Sequence, residues 1–189
     1  MATNVLNALA YIVNAFTSLY LLVLLLRFWL PLLHADFRNP IAQGIFKLTS
    51  PIVFPLRRFM PSIGQIDTAT IFISVFFQCI TMLLLMYISD GNFSFQQIFF
   101  ASIVRLMMLS INIFTFAIFI QALMSWLSPP GHYNPIASII NTLSDTILRP
   151  LRRFVPILGG IDLTPVFAVI LLIALNIFIS GLLPIGIII

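Results

Sequence analysis

Glutamate is absent from this 189-residue sequence, and lysine and cysteine occur once each, as Lys47 and Cys79. A single cysteine excludes an internal disulfide and a cysteine-built metal cluster. Charged residues make up only 7% of the chain, against about 25% in a soluble globular protein. The five aspartates offer no close carboxylate pair for acid–base work. No Walker, Rossmann or HExxH pattern appears. His34 and His132 stand at different offsets from the segments they precede, which argues against a paired metal site. These absences predict a chain that is not an enzyme and carries neither cofactor nor metal.

What is present is apolar. Hydrophobic residues reach 61%, with 19 phenylalanines. One small core cannot hide that much apolar surface, so the solvent is expected to be a lipid bilayer. Crossing it takes about 20 apolar residues in a helix. Four runs meet that length: about 8–33, which contains Arg27; 68–88; about 98–127, which contains Arg105; and 163–183. They are unbroken rather than alternating, which makes barrel strands a poor alternative. The expected fold is an all-α membrane protein with four transmembrane helices. No Lys or Arg precedes the first run, which is longer than a signal-peptide core and is expected to stay as a helix. No lipidation motif is present to replace it.

The charge is concentrated in a repeat. "PLRRFMPSIGQID", Pro55 to Asp67, returns as "PLRRFVPILGGID", Pro150 to Asp162. Laying Asn39–Asp67 on Asn134–Asp162, 95 residues on, matches 16 of 29 positions without a gap. The expected unit is membrane helix, interfacial segment, membrane helix, and it occurs twice, in residues 1–90 and 91–189. The interfacial segments are 39–67 and 134–162. Two crossings return the chain to its starting side, so the repeat is parallel, with a pseudo-two-fold axis along the membrane normal. Seven of the nine basic residues lie in the two segments: Arg38, Lys47, Arg57, Arg58, Arg149, Arg152 and Arg153. The positive-inside rule places both segments in the cytoplasm and both termini outside. Arg27 lies about 9 Å from the cytoplasmic end of its helix at 1.5 Å per residue, and is expected to snorkel there. Arg105 lies a similar distance from the outer start of its run.

Each segment has a local reading. Asn39-Pro40 and Asn134-Pro135 read as an N-cap followed by proline at the first helical position. Amphipathic interfacial helices are expected over about 40–49 and 135–148. Pro51, Pro55 and Pro61, with Pro150 and Pro156 in the second copy, are expected to end regular helix. In "LRRF" the apolar residues suit the acyl boundary and the guanidiniums suit lipid phosphates. The candidate lipid- or partner-binding residues are therefore Arg57, Arg58 and Phe59, with Arg152, Arg153 and Phe154. Gly64 and Gly159 permit a tight turn. Asp67 reads as an N-cap of the next helix. In the second copy Thr164-Pro165 repeats the cap-plus-proline pattern, which leaves Asp162 to pair with Arg152 or Arg153. The expected partners are anionic lipids, a second copy or another membrane protein. Nucleic acid is not expected, because arginines at headgroups are not available to a duplex.

The double "P-x-R-R-x-x-P-x-x-G-x-I-D" pattern resembles the YggT family, which includes the bacterial and plastid YlmG proteins. "LLLRFW" (Leu24–Trp29) and "MSW" (Met124–Trp126) are similar to family features. The first copy departs at Thr68-Ala69-Thr70, where the family often has a Ser/Thr-Pro pair. The resemblance implies a bacterial cytoplasmic membrane or a plastid membrane, no established catalytic residues, and links to hyperosmotic tolerance and to cell-division or nucleoid organisation. The expected function is a non-catalytic membrane organiser or accessory subunit. The alternative is an oligomeric ion channel or transporter component in osmotic response. Polar residues such as Ser110, Asn112, Thr115, Gln121 and Asn176 would line its path. The same residues also suit interhelical hydrogen bonds worth about 0.6 kcal/mol each.

Overall fold

The structure, a computed structural model, describes residues 2–88, 94–127, 134–155 and 162–183, the side chains of 2, 3, 126 and 127 excepted. Its elements are α1 (Ala2–Leu32), α2 (Pro40–Arg57), α3 (Thr68–Ile88), α4 (Phe95–Leu127), α5 (Pro135–Leu151) and α6 (Thr164–Ser180). Among the described residues, three helices carry stretches long and apolar enough to cross a membrane, Asn4–Leu32, Thr68–Ile88 and Phe95–Ser125. Only 22%, 33% and 28% of an 18-residue apolar portion of each is buried against protein. Most of their surface is therefore left for lipid, in keeping with uninterrupted apolar sequence. The expected fourth span corresponds to α6. It is equally apolar but has 17 residues, about 25 Å of helix, at the lower limit for a crossing.

The same packing recurs in each half. α1 lies along α3 and α4 along α6; α2 rests on α1 and α3, and α5 on α4 and α6. Contact of α3 with α4 joins the halves. A large cluster forms most of the core, with Leu21, Leu24, Leu30, Val53, Ile118 and Leu148 fully buried in it, and Met82, Ile98 and Ala101 form a small separate one. Trp29 reaches across from α1 to α4: its ring centroid is 5.0 Å from that of Phe114, and its Nε1 donates to Ser110 Oγ at 3.3 Å.

One detail of the chain departs from expectation. The prolines do not end the interfacial helices. α2 runs on through Pro51 and Pro55, and α5 includes Pro150. A helical proline leaves the carbonyl four residues earlier without its donor. Here those carbonyls belong to Lys47, Pro51 and Thr146, all exposed residues, where water or headgroups can serve them. The end of α1 has its own closure. His34 takes φ 55°, the left-handed region usually held by glycine. Its N–H donates to the Pro31 carbonyl at 3.1 Å, and that of Ala35 to the Leu30 carbonyl at 2.9 Å. This pair of bonds is a Schellman cap, closed by buried Leu30 and Ala35.

Candidate functional site

Each interfacial helix begins with its asparagine. The Asn39 side chain accepts from the Ile41 N–H, and Asn134 from the Ile136 N–H, both at 2.9 Å, with Pro40 and Pro135 opening the helices. The two starts also touch: Asn39, 1% exposed, donates its Nδ2 to the Pro135 carbonyl at 2.7 Å. The caps therefore fix both the helices and their junction.

The first motif closes around Asp67. Its carboxylate accepts from Arg57 Nη2 and, at 2.7 Å, from Thr70 Oγ1. The Thr70 N–H points at its other oxygen at 3.4 Å, the geometry of an N-cap reaching the third helical residue of α3. Burial by itself would raise the Asp67 carboxyl. Hydrogen bonds from Arg57 and Thr70, with the charge of Arg57, outweigh that and hold it below the ordinary carboxylate value. Between motif arginine and aspartate the chain reverses at Ile63–Ile66, whose N–H and carbonyl groups pair reciprocally at 3.1 and 3.0 Å. Gly64 has φ 61° and is the turn's sole positive-φ residue, the pattern of a type II′ turn with glycine first.

Arg27 completes this centre and corrects the expectation that it snorkels. It is 1% exposed. Its Nη1 donates to Thr49 Oγ1 at 2.7 Å, the Phe46 carbonyl at 3.1 Å and Ser50 Oγ at 3.2 Å. Its Nε lies 3.6 Å from Asp67 Oδ2, and the guanidinium sits over the Phe46 ring at 4.8 Å. A charge taken from water needs a counter-charge and hydrogen bonds; the buried Nε has no hydrogen-bond partner among the described residues and meets Asp67 by charge alone. α2, packed on α1, supplies the hydroxyls and carbonyl, and Asp67 supplies the charge. One carboxylate thus serves two guanidiniums, from α1 and α2.

The second motif is more open. Arg152 Nε donates to Asp162 Oδ2 at 3.1 Å, and its Nη1 lies 3.9 Å from Asp145. Asp145 also pairs with Arg149 at 3.2 Å and accepts from Gln121 Nε2 at 3.4 Å. Thr164 draws the Asp162 carboxyl below its ordinary value; partial burial opposes this, and Arg152 adds to the fall. Thr164 is not the cap of α6. Leu163 occupies that position without a side-chain bond, and the Thr164 N–H is itself met by Asp162 Oδ1 at 2.9 Å.

The paired arginines of "LRRF" therefore divide. Arg57 and Arg152 turn to the motif aspartates, Arg152 while still exposed, whereas exposed Arg58 and Arg153 lie beside them in the chain. Beside them Phe59 and Phe154 are 83% and 82% exposed. The expected pairing of Asp162 falls on Arg152, and in the first copy Asp67, read as an N-cap, also holds Arg57. Pro55, Pro61 and Pro150 are exposed. Pro156, Gly159 and His132 lie outside the described residues. Arg105 faces α3, with Nη1 3.8 Å from Met82 Sδ; Asp90 lies outside the described residues. Asn176 on α6 donates to Asn112 Oδ1 on α4 at 2.7 Å. Among the described residues no three His, Cys, Asp or Glu side chains are grouped to hold a metal ion.

Sequence reasoning missed Thr49, Thr70 and Asp145, and gave Arg27 the wrong surroundings. The available signal for Arg27 was a lone arginine within an apolar helix, which calls for a named partner.

The motif and its setting have relatives. The family model CCB3/YggT matches residues 6–88 and again 100–183. An uncharacterized protein of Pseudomonas aeruginosa is 39% identical over 165 residues, covering 86% of this chain and 83% of the relative. The uncharacterized protein YggT of Escherichia coli K12 is 34% identical over 171 residues, covering 90% of this chain and 88% of the relative. A Vibrio alginolyticus protein is 34% identical over 161 residues, covering 84% and 85%. No solved structure matches. The chain belongs to the CCB3/YggT family.

Proposed function

We propose that this family member is a non-catalytic organiser of the bacterial cytoplasmic membrane, a lipid-anchored platform or accessory subunit tied to osmotic stress or cell division. In this reading α1, α3, α4 and α6 all span, the two halves form a parallel tandem repeat, and α2 and α5 lie on the cytoplasmic leaflet. The observation that carries it is the division of each arginine pair. One arginine is committed to holding the segment closed, and the next projects beside an exposed phenylalanine, at the same place in both copies. An apolar ring in the acyl boundary with a guanidinium at phosphate level is a lipid grip. Each such basic residue is worth on the order of 1 kcal/mol at an anionic surface.

The test separates the two kinds of arginine. Native mass spectrometry of purified protein should show Arg58→Gln with Arg153→Gln losing anionic lipid by on the order of tenfold while remaining folded. Unchanged retention would overturn the reading. Flux of potassium or anions above that of empty vesicles, in wild-type proteoliposomes, would favour an oligomeric channel instead. The Asn112–Asn176 bond between α4 and α6 favours the helix-packing role for those polar residues.

A further inference from the structure

We propose that the crevice between α4 and α6 is a site for one phospholipid whose headgroup is zwitterionic and carries an ammonium. The crevice has a volume of about 640 Å³, within the roughly 300–1,000 Å³ span of small-molecule sites. Its long walls are apolar: Phe119 and Leu123 from α4, Val166 and Ile170 from α6. All four are substantially exposed, as suits an acyl chain entering from the bilayer. Its polar end holds Gln121, Arg152 and Asp162.

Two observations choose the headgroup. The first is Gln121 Oε1, a buried acceptor with no hydrogen-bond partner. Turning the amide round would not help, because its other end meets Asp145 Oδ1 at 3.4 Å and an ionised carboxylate can only accept, so the amide nitrogen must face it. A buried acceptor left unmatched is costly, so a donor from outside is favoured. The second is the charge balance. Asp145 and Asp162 are offset by Arg149 and Arg152. A purely anionic head gains no net attraction there. A head carrying both charges does: its ammonium faces Gln121 Oε1 and the half-exposed Asp162, and its phosphate meets Arg152. The corresponding position of α1, counted back from Trp29 as Gln121 is from Trp126, is Leu24, which is fully buried in the core. The site therefore belongs to the second half.

The experiment offers delipidated protein equimolar phosphatidylethanolamine and phosphatidylglycerol and weighs the retained lipid by native mass spectrometry. The Arg58→Gln, Arg153→Gln background suppresses anionic lipid held elsewhere. The last lipid to dissociate should be phosphatidylethanolamine, preferred about tenfold. Gln121→Leu should bring that preference close to one. Val166→Trp, which fills the crevice from an exposed wall position and leaves Gln121 in place, should lower retention of that lipid equally. Equal retention of the two lipids by the parent protein, or an unchanged preference in both variants, would overturn the proposal.

Discussion

In the first half the motif aspartate lies almost wholly under protein, with its side chain 7% exposed, and holds two arginines. In the second half its counterpart is 38% exposed and holds one. The difference traces to two positions. Where the first copy has Ser50 the second has Asp145, and where α1 has Arg27, two residues before Trp29, α4 has Met124, two before Trp126. The first half put its extra charge, a cation, on the membrane helix and buried it. The second put an extra charge of opposite sign on the interfacial helix, where it meets Arg149 and Arg152 near solvent. The same arginine-to-aspartate clasp is thus kept in both copies, but its energetic weight differs, because a pair in low dielectric cannot lose one member cheaply while an open pair can.

The largest effect should come from removing the aspartates one at a time. Asp67→Asn leaves Arg27 buried without its carboxylate and should cost about 3–5 kcal/mol, read as unfolding in mixed micelles. Asp162→Asn should cost less than about 1 kcal/mol. Equal losses would break the comparison. The same pair predicts the acid response. Both carboxyls are depressed in the folded protein, so their stabilisation is present above the ordinary carboxylate value and lost as pH falls through the folded value. Asp67→Asn should therefore flatten the loss of stability below about pH 4, and Asp162→Asn should flatten it less.

A double-mutant cycle sharpens the point. Arg27→Met, which installs the residue of the second half, should cost less in the Asp67→Asn background than alone, by about 1–3 kcal/mol. The cycle of Arg152→Gln with Asp162→Asn should couple by no more than about 1 kcal/mol. Reversal of that order would show that burial does not set the difference.

The smallest effects concern backbone features described in the first half. Gly64→Ala forces a side chain into φ 61° and should cost about 1 kcal/mol. His34→Gly relieves φ 55° at the end of α1 and should gain up to about 1 kcal/mol. Both are measurable in the same unfolding assay. A loss on His34→Gly would mean that the side chain is needed where it stands, 3.4 Å from Gln65 Nε2.

Much of this was legible locally. Residues Thr68–Ile88 are an unbroken apolar run and form α3 with the same limits, since a run of that length has no alternative in lipid. Gly64 sits in its turn because the residues around it demand positive φ nearby and only glycine supplies it without strain. The ends of α2 and α5 were misjudged for an equally local reason. Proline's missing donor matters only if the orphaned carbonyl is buried, and exposure of Lys47 and Thr146 is a fact about packing, not about sequence.

By itself the sequence determined the apolar character of the chain, its long apolar helices and the duplicated motif. Composition, run length and the 95-residue recurrence depend on nothing beyond the chain. Only the tertiary structure decided which arginine each clasp uses, that Arg27 is buried against Thr49 and Asp67, and that Gln121 meets Asp145. These partners lie 22, 40 and 24 residues apart. Electrostatic interaction depends on distance and on the surrounding dielectric, and both are set when helices pack.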